Sequence, residues 1–529
     1  WWQRSPIYQV YPKSFKDSNN DGSGDLKGVQ EKIDHFIYLD VKNIWVAPFY
    51  KSSLKDFNYA VDDHMEVDPT FGTMADFDSM ISAMHDKGLK LIIDLIPNHT
   101  SNKHKWFQLS RNRTDKYTDY YIWHDCAQVG GVRVPPNNWV SVYGDSAWEY
   151  DVTRNQCYLH QFRKEQPDLN FNNPDVHEEI LNIIKFWLGK GVDGFTINSA
   201  KFILEAEHFR DEPQVNKLQD PVSKSLVGDI YIDVLLAQYY LLTFTLTLFR
   251  FMGTESNDQP AIDKTMLYYG NSFIQEADFP LNSYLLDLSR TNLNGLSIFS
   301  NVDLWMKSMP SGKWPSWMVG GPSYSRISSR VGRQYINVMN MLLLTLPGTP
   351  TTYYGEELGM EDGSPNVDTD KPEEYNPVEY PEKTPMQWDS SENAGFSGAN
   401  KTWLSINPDY EAVNVEAQRN EQYSTLNLYR ELNNLRNNEL PLHRGWLCYT
   451  WSDLNVFAYV RELDGLNKVF MMVLNFGGAS TINMRQEVPD LPAEAKIRLS
   501  TDGSRVGKAV NTGSIETKPG EGLILEYKT

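Results

Sequence analysis

The segment Gly191-Val192-Asp193-Gly194-Phe195-Thr196-Ile197-Asn198-Ser199-Ala200-Lys201 has the form of a buried strand that ends in a polar side chain. Just upstream, Val176, Ile180, Ile183, Ile184, Trp187 and Leu188 recur at helical spacing, and Gly191 ends that helix. In a barrel of alternating strands and helices, chemistry is done at the C-terminal strand ends. Asn198 holds that place here.

Working outward, the same rhythm recurs. Apolar runs at Ile7 to Tyr11, Asn43 to Phe49 and Leu89 to Ile96 predict the first three strands. Helical spacing at Val29, Ile33, Phe36 and Ile37, and again from Met74 to Lys87, separates them. From Ser101 to about Asn170 the rhythm breaks into a stretch rich in Trp, Tyr, Asn and charge. Downstream, Arg250 to Glu255, Phe273 to Phe279, Ser316 to Gly320 and Thr351 to Tyr354 predict strands five to eight. Helices are expected over Ile336 to Leu346 and Gln422 to Asn437. After Leu440 the pattern turns to short strands at Val456 to Tyr459, Lys468 to Leu474, Ile497 to Leu499 and Leu523 to Tyr527. The expected fold class is α/β: a (β/α)8 TIM barrel, a small domain inserted after strand three and a C-terminal antiparallel β-sandwich. The expected domains are 1–100 with 171–439, then 101–170, then 440–529.

A length of 529 residues predicts two or three domains. The formal charge of -20 argues against nucleic acid as a partner, because a phosphate backbone needs a basic patch. The chain starts at Trp1 and reads as a fragment whose signal or anchor lies upstream. The apolar run from Val234 to Phe249 is shorter than the ~20 residues a membrane span needs, and reads as a buried barrel helix or strand. Cys126 and Cys157 flank a loop-rich stretch that a disulfide could close, leaving Cys448 over. Three buried reduced thiols are the alternative. Sequons stand at Asn98, Asn112 and Asn400. Asp17-Ser-Asn19-Asn-Asp21-Gly-Ser-Gly-Asp25 suits either a hard cation or an ordinary Asp/Gly turn.

Five motifs carry a resemblance: Asp94-x-x-x-Asn98-His99, Gln166-Pro-Asp168-Leu-Asn170, Gly194-Phe195-x-x-Asn198, Gly253-Thr254-Glu255 and Thr384-Pro-Met-Gln-Trp-Asp389. Together they resemble the α-amylase family of glycoside hydrolases, in its maltase and oligo-1,6-glucosidase branch. Such enzymes use a carboxylate nucleophile and a carboxylic acid in a retaining mechanism. The resemblance puts Asn198 at the nucleophile position and Thr196 at that of an orienting Arg. Pro322-Ser323 stands for a His-Asp pair, and Ala60 for a sugar-binding Asp. Glu255, the acid/base, is retained with Tyr59 and His99. A neutral amide is a poor nucleophile, so the expectation is no catalytic residue, with Asn198, Glu255 and Ser323 as degenerate positions.

A closer resemblance rests on Trp1-Trp2, Phe15-Lys-Asp-Ser18, Phe49 to Asp56, Phe107 to Arg111, Tyr117 to Cys126 and Asn340 to Leu344. The chain is similar to the heavy subunits of heteromeric amino acid transporters, in the branch that has the inserted domain. That resemblance implies the extracellular part of a single-pass type II plasma-membrane glycoprotein. It would assemble with, stabilise and traffic a multi-pass light subunit that carries cystine, cationic and neutral amino acids. The linking disulfide would lie just upstream of Trp1, and a dimer of heterodimers is compatible with it. Cys126 would pair with Cys157, Cys448 with a cysteine beyond Thr529, and glycans would sit on Asn112 and Asn400. The family also implies a structural calcium ion at Asn98, Asp168 and the Phe202 carbonyl, and the Ile203 carbonyl and Glu205 lie close enough in the chain to complete its oxygen shell. The alternative is a weakly active or sugar-binding α-glucosidase-like protein.

Overall fold

The computed structural model describes residues 1–53, 59–205, 208–211, 250–255, 261–271, 276–363 and 380–529. It divides into two compact units. The first comprises Trp1–Ala47, Ser79–Leu91 and Leu281–Thr529, the second Pro48–Asp78 and Ile92–Pro280. The apolar run 234–249 lies outside the described residues, and so do residues 273–275 of the expected sixth strand.

Eight parallel strands follow the chain order of a (β/α)8 barrel. They are β1 (Ile7–Val10), β2 (Asn43–Val46), β3 (Lys90–Leu95), β4 (Gly194–Ile197), β5 (Phe251–Thr254), β6 (Phe279–Pro280), β7 (Ser316–Met318) and β8 (Thr349–Tyr353). In the first unit β1 pairs with β2 and β8, and β8 with β7. In the second, β4 pairs with β3 and β5, and β5 with β6. Strands covered on both faces need apolar residues at successive positions. All four residues of β1, β2, β4 and β5 are buried. Close packing of β4 on β5 requires Gly194, where an added Cβ would lie 2.8 Å from both Cβ and the carbonyl oxygen of Phe251.

Helix α1 (Pro174–Gly189) feeds β4 and buries Val176, Ile180, Ile183, Ile184, Trp187 and Leu188. Its N-cap Asn173 accepts from the Asp175 amide. Helix α2 (Ile336–Thr345) precedes β8, and α3 (Thr425–Asn438) starts three residues later than the apolar spacing predicts. The cause is local: Ser424 caps α3 by accepting from the Asn427 amide. Strand β7 stops at Met318, two residues before the predicted end. Gly320 faces Glu356 there, and a Cβ would sit 2.0 Å from its Oε1.

The inserted region contains a three-stranded antiparallel sheet built from 123–124, 148–151 and 156–159, and a hairpin of 127–129 with 132–134. Cys126 and Cys157 are joined by a disulfide, with Cα atoms 5.5 Å apart. After residue 445 a six-stranded antiparallel sheet and a two-stranded one enclose an apolar core that includes Val460, Val469, Met471, Ile497 and Leu525. No helix long and apolar enough to cross a membrane occurs among the described residues.

Candidate functional site

The end of β4 is set by two hydrogen bonds. The Asn198 amide N–H donates to Leu95 O on β3 at 2.8 Å, and the Glu255 N–H to Ile197 O at 2.8 Å. The next residue, Ser199, takes a left-handed conformation with φ 57°. That turns its hydroxyl back to donate to Asn198 Oδ1 at 2.7 Å. Asn198 Nδ2 donates to Glu255 Oε2 at 2.5 Å. Both ends of the amide are thereby occupied, and burial pushes the Glu255 carboxyl above its usual range. Thr196, two residues earlier, is buried in the strand.

His99 is a buried neutral imidazole. Its Nδ1 accepts from Asn98 Nδ2 at 3.2 Å, and its Nε2 donates to Tyr59 O at 3.2 Å. Burial holds its pKa down at about 4. Asn98 Nδ2 also donates to Asp168 Oδ1 at 3.1 Å, and the Gln161 amide N–H donates to Asp168 Oδ2 at 2.9 Å. Gln161 Nε2 reaches Phe202 O at 2.8 Å and Glu205 Oε1 at 3.1 Å. Asn98, Asp168, Phe202 and Glu205 are therefore brought together through one glutamine. Ile203 is buried in the same turn.

The electrostatics of that group are strained. Asp168 is fully buried, and loss of solvation pushes its pKa up to about 8. Burial, and then Asp168 itself, drive Glu205 well above the usual carboxylate range. Asn98 Oδ1 is buried and has no hydrogen-bond partner. Two neighbouring carboxyls, a carbonyl and an orphaned amide oxygen form an oxygen-rich shell that lacks positive charge. Among the described residues, no group of three or more His, Cys, Asp or Glu side chains is arranged to hold a metal. Two of the four groups in the shell at Asn98 are an amide and a backbone carbonyl.

Gln161 carries no motif, and nothing in its sequence context marks it. Ser323 lies exposed near a turn bridged by Gly321 and Tyr324, in the first compact unit. Arg326, three residues on, is buried, donates to Tyr354 O at 2.7 Å and lies 4.7 Å from the Tyr354 ring centroid. The Asp17 loop is closed by its own amides: Asp17 Oδ1 accepts from Asn19 and Asn20 at 3.0 and 2.7 Å, and Oδ2 from Gly22 at 2.8 Å. Asn112 and Asn400 are exposed, whereas Asn98 is 1% exposed, which leaves no room for a glycan. Cys448 is a free, partly exposed thiol.

A family profile described as alpha amylase, catalytic domain, matches residues 9–445. The chain belongs to the α-amylase family. It is 54% identical over 542 residues to amino acid transporter heavy chain SLC3A1 of Homo sapiens, covering 100% of this chain and 78% of that one. This places it in the heavy-chain branch of the α-amylase family. An alpha-glucosidase of Apis mellifera is 38% identical over 524 residues, covering 96% of this chain and 91% of the other. Among solved α-amylase-like structures, isomaltulose synthase SmuA from Protaminobacter rubrum superposes with a TM-score of 0.88 at 26% identity, covering 100% and 99% of the two chains.

Proposed function

We propose that this chain is the glycosidase-fold portion of a transporter heavy subunit and that it does not hydrolyse glucosides. One observation carries the reading: the nucleophile position holds Asn198, and its amide is tied to the acid/base position Glu255 at 2.5 Å. Retaining hydrolysis needs a carboxylate to attack the anomeric carbon and a carboxylic acid to protonate the leaving oxygen. A neutral amide cannot attack the anomeric carbon, so this position supplies no nucleophile whatever the protonation of Glu255. Catalytic groups act as a unit, so further changes at Thr196, Ala60, Pro322 and Ser323 compound the loss. The 54% identity to an amino acid transporter heavy chain supports the other half of the reading. In it, the chain assembles with a multi-pass light subunit at the plasma membrane, stabilises it and takes it to the cell surface. The light subunit would carry cystine, cationic and neutral amino acids. The link would be a disulfide outside the 529 residues described by this sequence.

A calcium ion fits the shell at Asn98. Asn98 Oδ1, Asp168, the Phe202 carbonyl and Glu205 would hold it, with the Ile203 carbonyl beside them. A hard cation favours such oxygen ligands and would neutralise the two strained carboxyls. Its chemistry there is structural, fixing the turn after β4 against the Gln161 and Asp168 segment.

Two measurements test the function. Full-length protein isolated from membranes should bring down a multi-pass partner that reductant releases. The purified chain should give no turnover of maltose or a nitrophenyl α-glucoside. Absence of a partner defeats the assembly reading, and measurable turnover defeats the inactive one.

A further inference from the structure

Outside the β4 site, the first compact unit carries a cleft of about 470 Å3 whose floor includes His35 and Trp388. Two cations line it, Lys32 and Arg419, and so do four carboxylates, Glu31, Asp34, Asp389 and Glu416. Opposite charges that share a cleft ordinarily pair. Here no carboxylate of the described residues lies within ion-pair distance of Lys32 or Arg419, although the unit forms such pairs elsewhere, as at Lys468 and Glu439.

Both cations are held in place by other means. Lys32 Nζ sits 4.2 Å from the Trp388 ring centroid, an attraction that fixes an ammonium without neutralising it. Arg419 is pinned between the Tyr38 ring, 4.1 Å away, and His35 Nδ1, which accepts from its Nη2 at 3.4 Å. His35 must then carry its proton on Nε2, which donates to Glu357 Oε1 at 3.1 Å. Glu357 Oε1 also accepts from Tyr8 at 2.6 Å. Asp389 is held in turn by the Ser391 amide at 2.8 Å. Both cations are therefore fixed by aromatic rings and His35 and not by the carboxylates of the cleft, and such preorganisation lowers the ordering cost of binding.

We infer that this cleft binds a small zwitterion of the free α-amino acid kind, its carboxylate on Lys32 and Arg419 and its ammonium among the four lining carboxylates. A simple anion meets four repelling carboxylates, and a simple cation meets two fixed cations. Only a ligand with both charges matches both sets. A carboxylate that takes Arg419 would also loosen its contact with His35, which links the cleft to Glu357 and Tyr8 in the interior. The choice of an amino acid as ligand rests on the heavy-subunit reading, whereas the charge pattern stands on its own.

Calorimetry of the purified protein with L-leucine, acetate and methylammonium tests it. Leucine should bind, and acetate and methylammonium should each bind about tenfold or more weakly, since each forfeits one set of charge-assisted bonds. Lys32→Gln and Glu416→Gln should each weaken leucine binding by about tenfold, with thermal unfolding confirming that both variants fold. Absence of binding at about 10 mM leucine, where a millimolar Kd would be visible, overturns the inference. So does acetate binding as tightly as leucine, or leucine binding that neither variant changes. Co-purification with a membrane partner is scored separately, so failure here and failure of the assembly reading are distinct results.

Discussion

Asn198 and Glu255 are joined side chain to side chain at 2.5 Å, across the two positions that a retaining glucosidase uses for attack and protonation. The bond satisfies a buried carboxyl with a neutral donor, so the pair is stable in a way that two carboxylates would not be.

Asn198→Asp tests that relation. The variant places two carboxyls in contact in a buried site and removes the donor, which should destabilise the fold by about 1–3 kcal/mol at neutral pH. Urea unfolding reads the loss. Turnover of a nitrophenyl α-glucoside should stay absent, because Thr196, Ala60 and Ser323 are unchanged. Activity gained from this one substitution would show the remaining site to be competent.

The oxygen shell at Asn98 predicts a calcium-dependent stability. Chelator should lower the thermal midpoint and added calcium should restore it. In Glu205→Ala the response to calcium should shrink or vanish, while the midpoint in chelator changes little. A midpoint that chelator does not move argues against a resident ion.

Two buried histidines predict acid sensitivity. His64 donates Nε2 to Ile96 O at 3.2 Å, and its ring centroid lies 5.6 Å from that of His104. Burial lowers the first to about 4 and the second well below 6.5. Each stays neutral in the fold, while the unfolded chain takes up protons near pH 6.5. Stability from both is therefore fully present above pH 6.5 and falls as pH drops towards 4. His64→Phe should flatten part of that slope in unfolding curves taken at successive pH values, even though it leaves Ile96 O without its donor.

Arg436 and Arg461 are both almost fully buried, and neither forms an ion pair among the described residues. Arg436 donates to Leu344 O at 2.9 Å and Leu346 O at 3.0 Å, and also to Gly348 O. Arg461 donates to Thr345 O and, at 3.0 Å, to Gly445 O. Together they close the C-terminal end of α2, where free carbonyls favour positive charge. Arg461→Met should cost about 3 kcal/mol or more in urea unfolding, because the carbonyls remain buried without donors. Arg461→Lys should rescue little, since one ammonium lacks the fork that spans two carbonyls.

Residue order alone makes much of this molecule readable. Helical spacing in α1 and unbroken apolar runs in β1, β2 and β4 follow from which faces must leave water, and that is a local property. Identities at fixed positions are equally local: an amide at 198 is no nucleophile wherever it sits. Element ends were less accessible, because β7 stops where Gly320 meets Glu356, 36 residues away in sequence. Gln161 gave no signal, since its role depends on reaching Phe202 and Glu205 more than 40 residues downstream. The cleft at Lys32 was equally silent, because only folding sets Trp388 beneath Lys32 and Arg419 against His35. Patterns of burial are written along the chain, whereas the meeting of distant polar groups, and the absence of a counter-charge beside them, exist only once the chain is folded.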